Sequence, residues 1–117
     1  MALTIGTRME GEIAVMDLEG SLTLGPSLVS LRNAAREVLA TPKISGIVLD
    51  VGRITSVDSS GLGELTIVYG LAMRQNCPLR LVQVSTSLHK MLKMTHLDGV
   101  LLAAEDVMQA KTQFKTA

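Results

Sequence analysis

Aromatic residues are almost missing from this chain: Tyr69 and Phe114 are the only two, and tryptophan is absent. An aromatic platform for stacking unpaired bases is therefore not expected, and aliphatic side chains with 7 methionines must fill the core. A lone cysteine, Cys77, excludes an intrachain disulfide and fits a reducing compartment, so a cytoplasmic location is expected. Neither sign of charge is in excess, with 11 Lys and Arg against 11 Asp and Glu and no long run of either. Electrostatic capture of nucleic acid or of an acidic membrane is not expected from such a balance, and partners should be recognised by shape and local charge. Nothing approaches the roughly 20 apolar residues that span a bilayer. The amino terminus also lacks a basic stretch followed by an apolar core. A soluble protein with no membrane attachment is expected.

What is present suffices for one core. A length of 117 residues with 47% hydrophobic content supports one domain, residues 1–117, and is too short for two. Residues 3–7 and 12–18 read as two strands joined near Glu10-Gly11, the second apolar on both faces and so interior. Gly25-Pro26 opens a helix with Leu28, Leu31, Ala35, Val38 and Leu39 at helical spacing, which stops at Thr41-Pro42. Residues 47–51 form a continuous apolar run, as in a central strand covered on both sides. A helix over about 60–75 follows, then a strand over 79–84. Next comes a helix capped by Thr86 or Ser87 and leaving at Asp98-Gly99, a brief strand over 100–102, and a last helix with Val107, Ala110 and Phe114 inward. Strands alternating with helices predict an α/β fold whose mixed sheet opens with an antiparallel hairpin and continues in parallel, with about four helices.

The most telling stretch is Ile54-Thr55-Ser56-Val57-Asp58-Ser59-Ser60-Gly61-Leu62-Gly63-Glu64, which sets small hydroxyl residues between a covered strand and a helix. A helix start leaves its first N–H groups unpaired, so Asp58, Ser59 or Ser60 can cap it. The same N–H groups and the positive end of the helix dipole favour added negative charge, so a phosphate fits there. Chemistry alone does not choose between Ser59 and Ser60, and simple capping explains either. Glu64 follows Ser60 by four residues, one too many for a reciprocal capping box.

At about 100° per residue, Leu62, Leu65, Val68, Tyr69, Ala72 and Met73 share the face expected to pack on the sheet. Ile67 and Leu71 point the other way, beside Glu64 and Arg74, where water is expected. They read either as scattered surface aliphatics or as a docking patch beside Ser59. Gly63 and Gly70 stand two turns apart on the flank, each weakening the helix by about 1 kcal/mol relative to alanine. Close approach of another backbone would account for them.

Asp58-Ser59-Ser60-Gly61-Leu62-Gly63, placed after Ile47-Val48-Leu49-Asp50-Val51, resembles the signature of the STAS domain family, specifically the anti-sigma-factor antagonists. The resemblance covers almost the whole chain and includes Gly20-Ser21-Leu22 before the first helix and Met94-Thr95-His96-Leu97 at the end of the third. It implies a single STAS-like domain in which Ser59 is phosphorylated by a partner that is both anti-sigma factor and serine kinase, with a serine phosphatase to reset it. The partner surface is then expected at Ser21, Thr23, Asp58, Ser59, Ser60, Gly61, Leu62, Gly63, Glu64, Ile67 and Leu71. Thr23 stands where better-known members carry an acidic residue. The bare form is expected to bind and the phosphorylated form to be released, since a phosphate adds about −1.5 to −2 charges beside Asp58. The resemblance also admits a structural subunit of a larger signalling or lipid-transport assembly, with Ser59 serving only as a cap.

No enzymatic activity, cofactor or metal is expected. His89 and His96 on one helix would lie about 10.5 Å apart along its axis, too far to share an ion. Ser87-Leu88-His89-Lys90 matches the Ser-x-x-Lys pattern of acyl-transfer enzymes without their companion motifs, and a helix cap followed by a solvated lysine explains it better. Gly61-Leu62-Gly63 lacks the third glycine of a dinucleotide fingerprint, and no phosphate-loop lysine follows, so nucleotide binding has no motif behind it. Asp50 and Asp58 flank the end of the central strand, where open α/β sheets often bind ligands, but capping explains them more simply.

Overall fold

Strands that are apolar on both faces need cover on both sides of their sheet. The computed structural model describes residues 2–116, so Met1 and Ala117, the two ends of the expected domain, lie outside the described residues. Along the chain come β1 (Thr4–Glu10), β2 (Ile13–Leu22), α1 (Pro26–Leu39), β3 (Gly46–Val57), α2 (Ser59–Met73), β4 (Leu79–Val82), α3 (Thr86–Met94), β5 (Ala103–Ala104) and α4 (Val107–Thr116). The sheet order is β1-β2-β3-β4-β5. β1 pairs antiparallel with β2, and every later pair is parallel, so the fold is the expected α/β arrangement with a mixed sheet and four helices.

Alternation along the strands divides the core in two. Ala14, Met16 and Leu18 of β2, Ile47, Leu49 and Val51 of β3, and Leu79 and Leu81 of β4 meet α1, α2 and α3 on one face. Val15, Val48, Val82 and Ala104 point to the other face and pack under Ala110, Val107 and Phe114 of α4. Helices following successive parallel strands collect on one face because each crossover has the same hand. α4, which has no strand after it among the described residues, closes the opposite face.

Some boundaries differ from the sequence reading, each for a local reason. β2 and β3 run on to Leu22 and Val57, beyond their apolar stretches, because their backbones stay paired after register shifts between Asp17 and Glu19 and between Gly20 and Ser21. Gly20 makes this feasible: its φ is 111°, and a Cβ there would lie 2.2 Å from the carbonyl oxygen of Ala2. α3 ends at Met94 rather than at Asp98-Gly99, since His96 takes a left-handed φ of 59° and the Leu97 N–H returns to the Leu92 carbonyl at 2.8 Å. Its cap is Ser85, neither Thr86 nor Ser87, with Oγ accepting the Leu88 N–H at 3.1 Å. Val100 and Leu101 both donate to the Leu97 carbonyl, which makes them a turn and delays β5 to Ala103.

Leu49, fully buried on the central strand, should lose about 2–5 kcal/mol of unfolding free energy when changed to alanine. Met108→Ala on the outer side of α4, 78% exposed, should stay within about 0.5 kcal/mol of wild type. Urea titration followed by circular dichroism compares the two; similar losses would contradict this division of the core.

Candidate functional site

The paired ends of β2 and β3 build the platform. Beyond the sheet body Ser21 pairs with Ser56 and Leu22 with Val57. Side chains reinforce the pairing: Ser56 Oγ donates to Ser21 Oγ at 3.1 Å, and Thr55 Oγ1 donates to the Gly20 carbonyl at 3.2 Å. The pair ends at Asp58, whose extended backbone makes it the N-cap of α2. Its two oxygens serve different segments. Oδ1 accepts the Gly61 N–H at 2.8 Å within the first turn of α2, while Oδ2 accepts the Leu24 N–H at 2.9 Å from the loop between β2 and α1. These bonds, that from Leu24 first, hold the carboxyl below the usual carboxylate range.

The cap is therefore Asp58 and neither serine. Ser59 is the first residue of α2 and is exposed; Ser60 follows, half-buried. Among the described residues, neither hydroxyl has a hydrogen-bond partner, so the Ser59 oxygen stands free at the surface. Gly61 locks the geometry from beneath, since a Cβ at that position would lie 1.9 Å from the Leu22 carbonyl oxygen. Only a residue without a side chain lets α2 start this close to β2.

The far side of α2 departs from the sequence reading. Glu64, expected beside water, is 3% exposed and forms a bidentate pair with Arg32 of α1, Nε to Oε2 at 2.8 Å and Nη2 to Oε1 at 2.7 Å. Helix α1 occupies the side on which solvent was expected. Leu71 is half-buried against the core for the same reason, whereas Ile67 remains 45% exposed. Met73, expected on the sheet-facing stripe, is exposed, and Tyr69 is half-buried; Leu62, Leu65, Val68 and Ala72 pack as expected. Gly63 and Gly70 have open space where a Cβ would be, so among the described residues no other segment packs against that side of either one.

Of the residues expected to meet a partner, Gly61, Leu62 and Glu64 are thus buried and hold the frame rather than offer surface. Ser59, Gly63 and Ile67 are exposed, with Ser21, Thr23, Asp58, Ser60 and Leu71 half-buried. Leu24 was missed: it is 78% exposed at the loop tip that Asp58 holds. An apolar residue just ahead of Gly25-Pro26, where loops are normally polar, was its signal in the sequence. Arg32 was missed as well, and nothing nearby in the chain marks its pairing.

The remaining chemistry-bearing residues do not converge. His89 lies on α3, but His96 lies past its end. Asp50 sits within β3, its Oδ1 accepting the Gly52 N–H at 3.0 Å. Asp58 is eight residues further, about 26 Å away along an extended strand, so the two carboxylates do not meet. Cys77 is buried, and desolvation pushes its thiol up to about 11. Among the described residues no three His, Cys, Asp or Glu side chains are grouped to hold a metal ion, and no helix is long and apolar enough to cross a membrane.

Known proteins share this fold. The family model described as "Mlab, STAS domain" matches residues 5–103. A candidate anti-sigma factor antagonist from Thermotoga maritima superposes with a TM-score of 0.84 at 14% identity, over 95% of this chain and 94% of its own. SpoIIAA of Bacillus, an anti-sigma factor antagonist, is similar in its unphosphorylated form at TM-score 0.72 and 15% identity, over 97% of this chain and 99% of its own. Its phosphorylated form gives 0.70 at 18% identity, over 94% and 98%. A sulfate transporter family protein from Wolinella succinogenes gives 0.73 at 15% identity, over 93% and 89%. Identities this low show a common fold.

Two stability tests follow from the frame. A carboxyl whose folded pKa is depressed contributes fully above its unfolded value of about 4, and the contribution disappears as pH falls through the lower folded value. Asp58→Ala should therefore lower the thermal midpoint by several degrees at pH 7, with the gap to wild type narrowing on acidification below about pH 4; a gap that ignores pH would contradict a charged cap. Arg32→Met alone should destabilise more than Arg32→Met combined with Glu64→Leu, because the single change leaves a buried carboxylate without its partner. Equal midpoints for the two variants would show that the pair does not act as a unit.

Proposed function

The chain belongs to the STAS domain family, and from that premise we propose that it is an anti-sigma-factor antagonist working by partner switching. Its bare form binds an anti-sigma factor that is also a serine kinase, and phosphorylation at Ser59 releases it. A serine phosphatase restores the bare form. The observation that carries the reading is the exposed, unengaged Ser59 hydroxyl, which Asp58 frees by taking the cap itself. On this reading the protein is the substrate of an enzyme and not an enzyme. The Ser59 oxygen bonds to the γ-phosphorus of ATP, ADP leaves, and the hydroxyl proton passes to a base on the kinase. A cytoplasmic location goes with such a partner.

A phosphate at this position acts on binding without unfolding the domain. Helix N–H groups and the dipole tolerate the anion, but it lands beside a carboxylate whose two oxygens are already engaged. A surface fitted to a hydroxyl then meets a solvated group of about −1.5 to −2 charges. Losing about 3 to 4 kcal/mol of binding corresponds to a weakening of several hundredfold.

A second reading draws on the "Mlab" family description and on the similarity to a sulfate transporter family protein. There the domain is a structural subunit of a larger assembly and Ser59 stays unmodified.

Incubation with a purified anti-sigma serine kinase from the same organism, ATP and Mg²⁺ should place one phosphate on Ser59 by mass spectrometry, and none on Ser59→Ala. Ser59→Asp should weaken kinase binding by several hundredfold. Unchanged kinase binding by Ser59→Asp, or no modification at Ser59, would sink the switching reading. Recovery of Ser59→Ala and Ser59→Asp in an intact assembly would favour the structural one.

A further inference from the structure

A second surface lies along the join of α1 and α2. Arg32, Arg36, Ile67, Gly70, Leu71 and Arg74 line an open groove of about 350 Å³. Its floor is aliphatic, and no carboxylate lines it. Arg32 is already committed to Glu64. Arg36 and Arg74 are exposed on neighbouring helices, and among the described residues neither guanidinium has a hydrogen-bond or ion-pair partner. Two unpaired guanidiniums thus flank an apolar strip, and Gly70, with open space in place of a side chain, lowers the floor between them.

We infer that this groove docks an acidic amphipathic helix of a partner protein. Such a helix carries an apolar stripe at every third or fourth position with charged residues along its edges, which is the pattern the groove lacks and complements. Its aliphatic side chains meet Ile67 and Leu71, its backbone approaches over Gly70, and its carboxylates take Arg36 and Arg74 in fork geometry. The lining runs from Ile67 to Arg74 on α2 and from Arg32 to Arg36 on α1, about 10 Å along the helices, or two turns of a partner. A concave seat between two helices suits a rod and not a flat bilayer. Ile67 and Leu71 also belong to the partner surface expected beside Ser59, but Arg74 stands about 22 Å along the axis of α2 from Ser59, so docking here does not require the hydroxyl to be modified.

The probe is a fluorescein-labelled helical peptide of about 16 residues with leucine at alternating third and fourth positions and glutamate along both edges. Lysine replaces glutamate in the control peptide, and phosphatidylglycerol vesicles provide a membrane arm. The glutamate peptide should raise anisotropy saturably. Arg36→Gln combined with Arg74→Gln should weaken it about tenfold or more, with a thermal midpoint within a few degrees of wild type, because both side chains are exposed and lose only a favourable charge at a helix end. The inference is overturned if the glutamate peptide fails to saturate, if the lysine peptide binds as tightly, if the double variant binds like wild type, or if only the vesicles bind.

Discussion

The carboxylate of Asp58 bridges two backbone segments that are far apart in the chain, and the candidate site depends on that bridge. One oxygen closes the first turn of α2, and the other fixes the loop leaving β2. Because a single group does both, the start of the helix and the tip of the loop hold one fixed relation. Two further contacts serve the same end: the Asp58 N–H reaches the Leu22 carbonyl at 3.4 Å, and Gly61 lies against that same carbonyl. With the cap supplied by a carboxylate, the adjacent Ser59 hydroxyl is left without a capping bond.

Helix α2 shows how a segment can be apolar nearly all round and still lie at a surface. One side packs on the sheet through Leu62, Leu65, Val68 and Ala72. A second side meets α1, where Arg32 and Glu64 pair. The net stability of such a pair is small because desolvation offsets the attraction, but its two-point geometry permits little sliding and so aligns the helices. What remains outside is a narrow strip of Ser59, Gly63, Ile67 and Gly70 that carries no charge, bordered by the arginines of α1 and by Arg74. Both proposed surfaces use parts of that strip, one the hydroxyl at its start and the other the apolar stretch that the guanidiniums border.

Much of this was legible before folding. The apolar runs of β2 and β3, the helical spacing in α1 and the inward residues of α4 follow from burial periodicity alone. The continuation of β3 to Val57 was not legible, because Arg53 and Ser56 are polar and are held by backbone pairing to β2, which leaves no hydrophobic pattern. Glu64 misled for a related reason: charge normally faces water, and here the rule fails because the half-buried Arg32 of α1 supplies a counter-charge. The exit of α3 read at Asp98-Gly99 came too late because a left-handed residue that is not glycine, His96, gives little warning in sequence, whereas the resemblance placed the end at Met94-Thr95-His96-Leu97, where α3 stops.

The order of elements, the α/β class and the presence of hydroxyls where a covered strand gives way to a helix belong to the sequence by itself, since local propensity and periodicity suffice for them. Which group caps α2, which serine is left free, where Leu24 stands and why Glu64 is buried were decided only by the tertiary structure. The place of Leu24 and the burial of Glu64 depend on contacts between residues 32 to 34 positions apart in the chain, Leu24 with Asp58 and Arg32 with Glu64, whereas the cap is a local bond that three neighbouring side chains could have made. Short-range pattern holds no information about such contacts until the helices have packed.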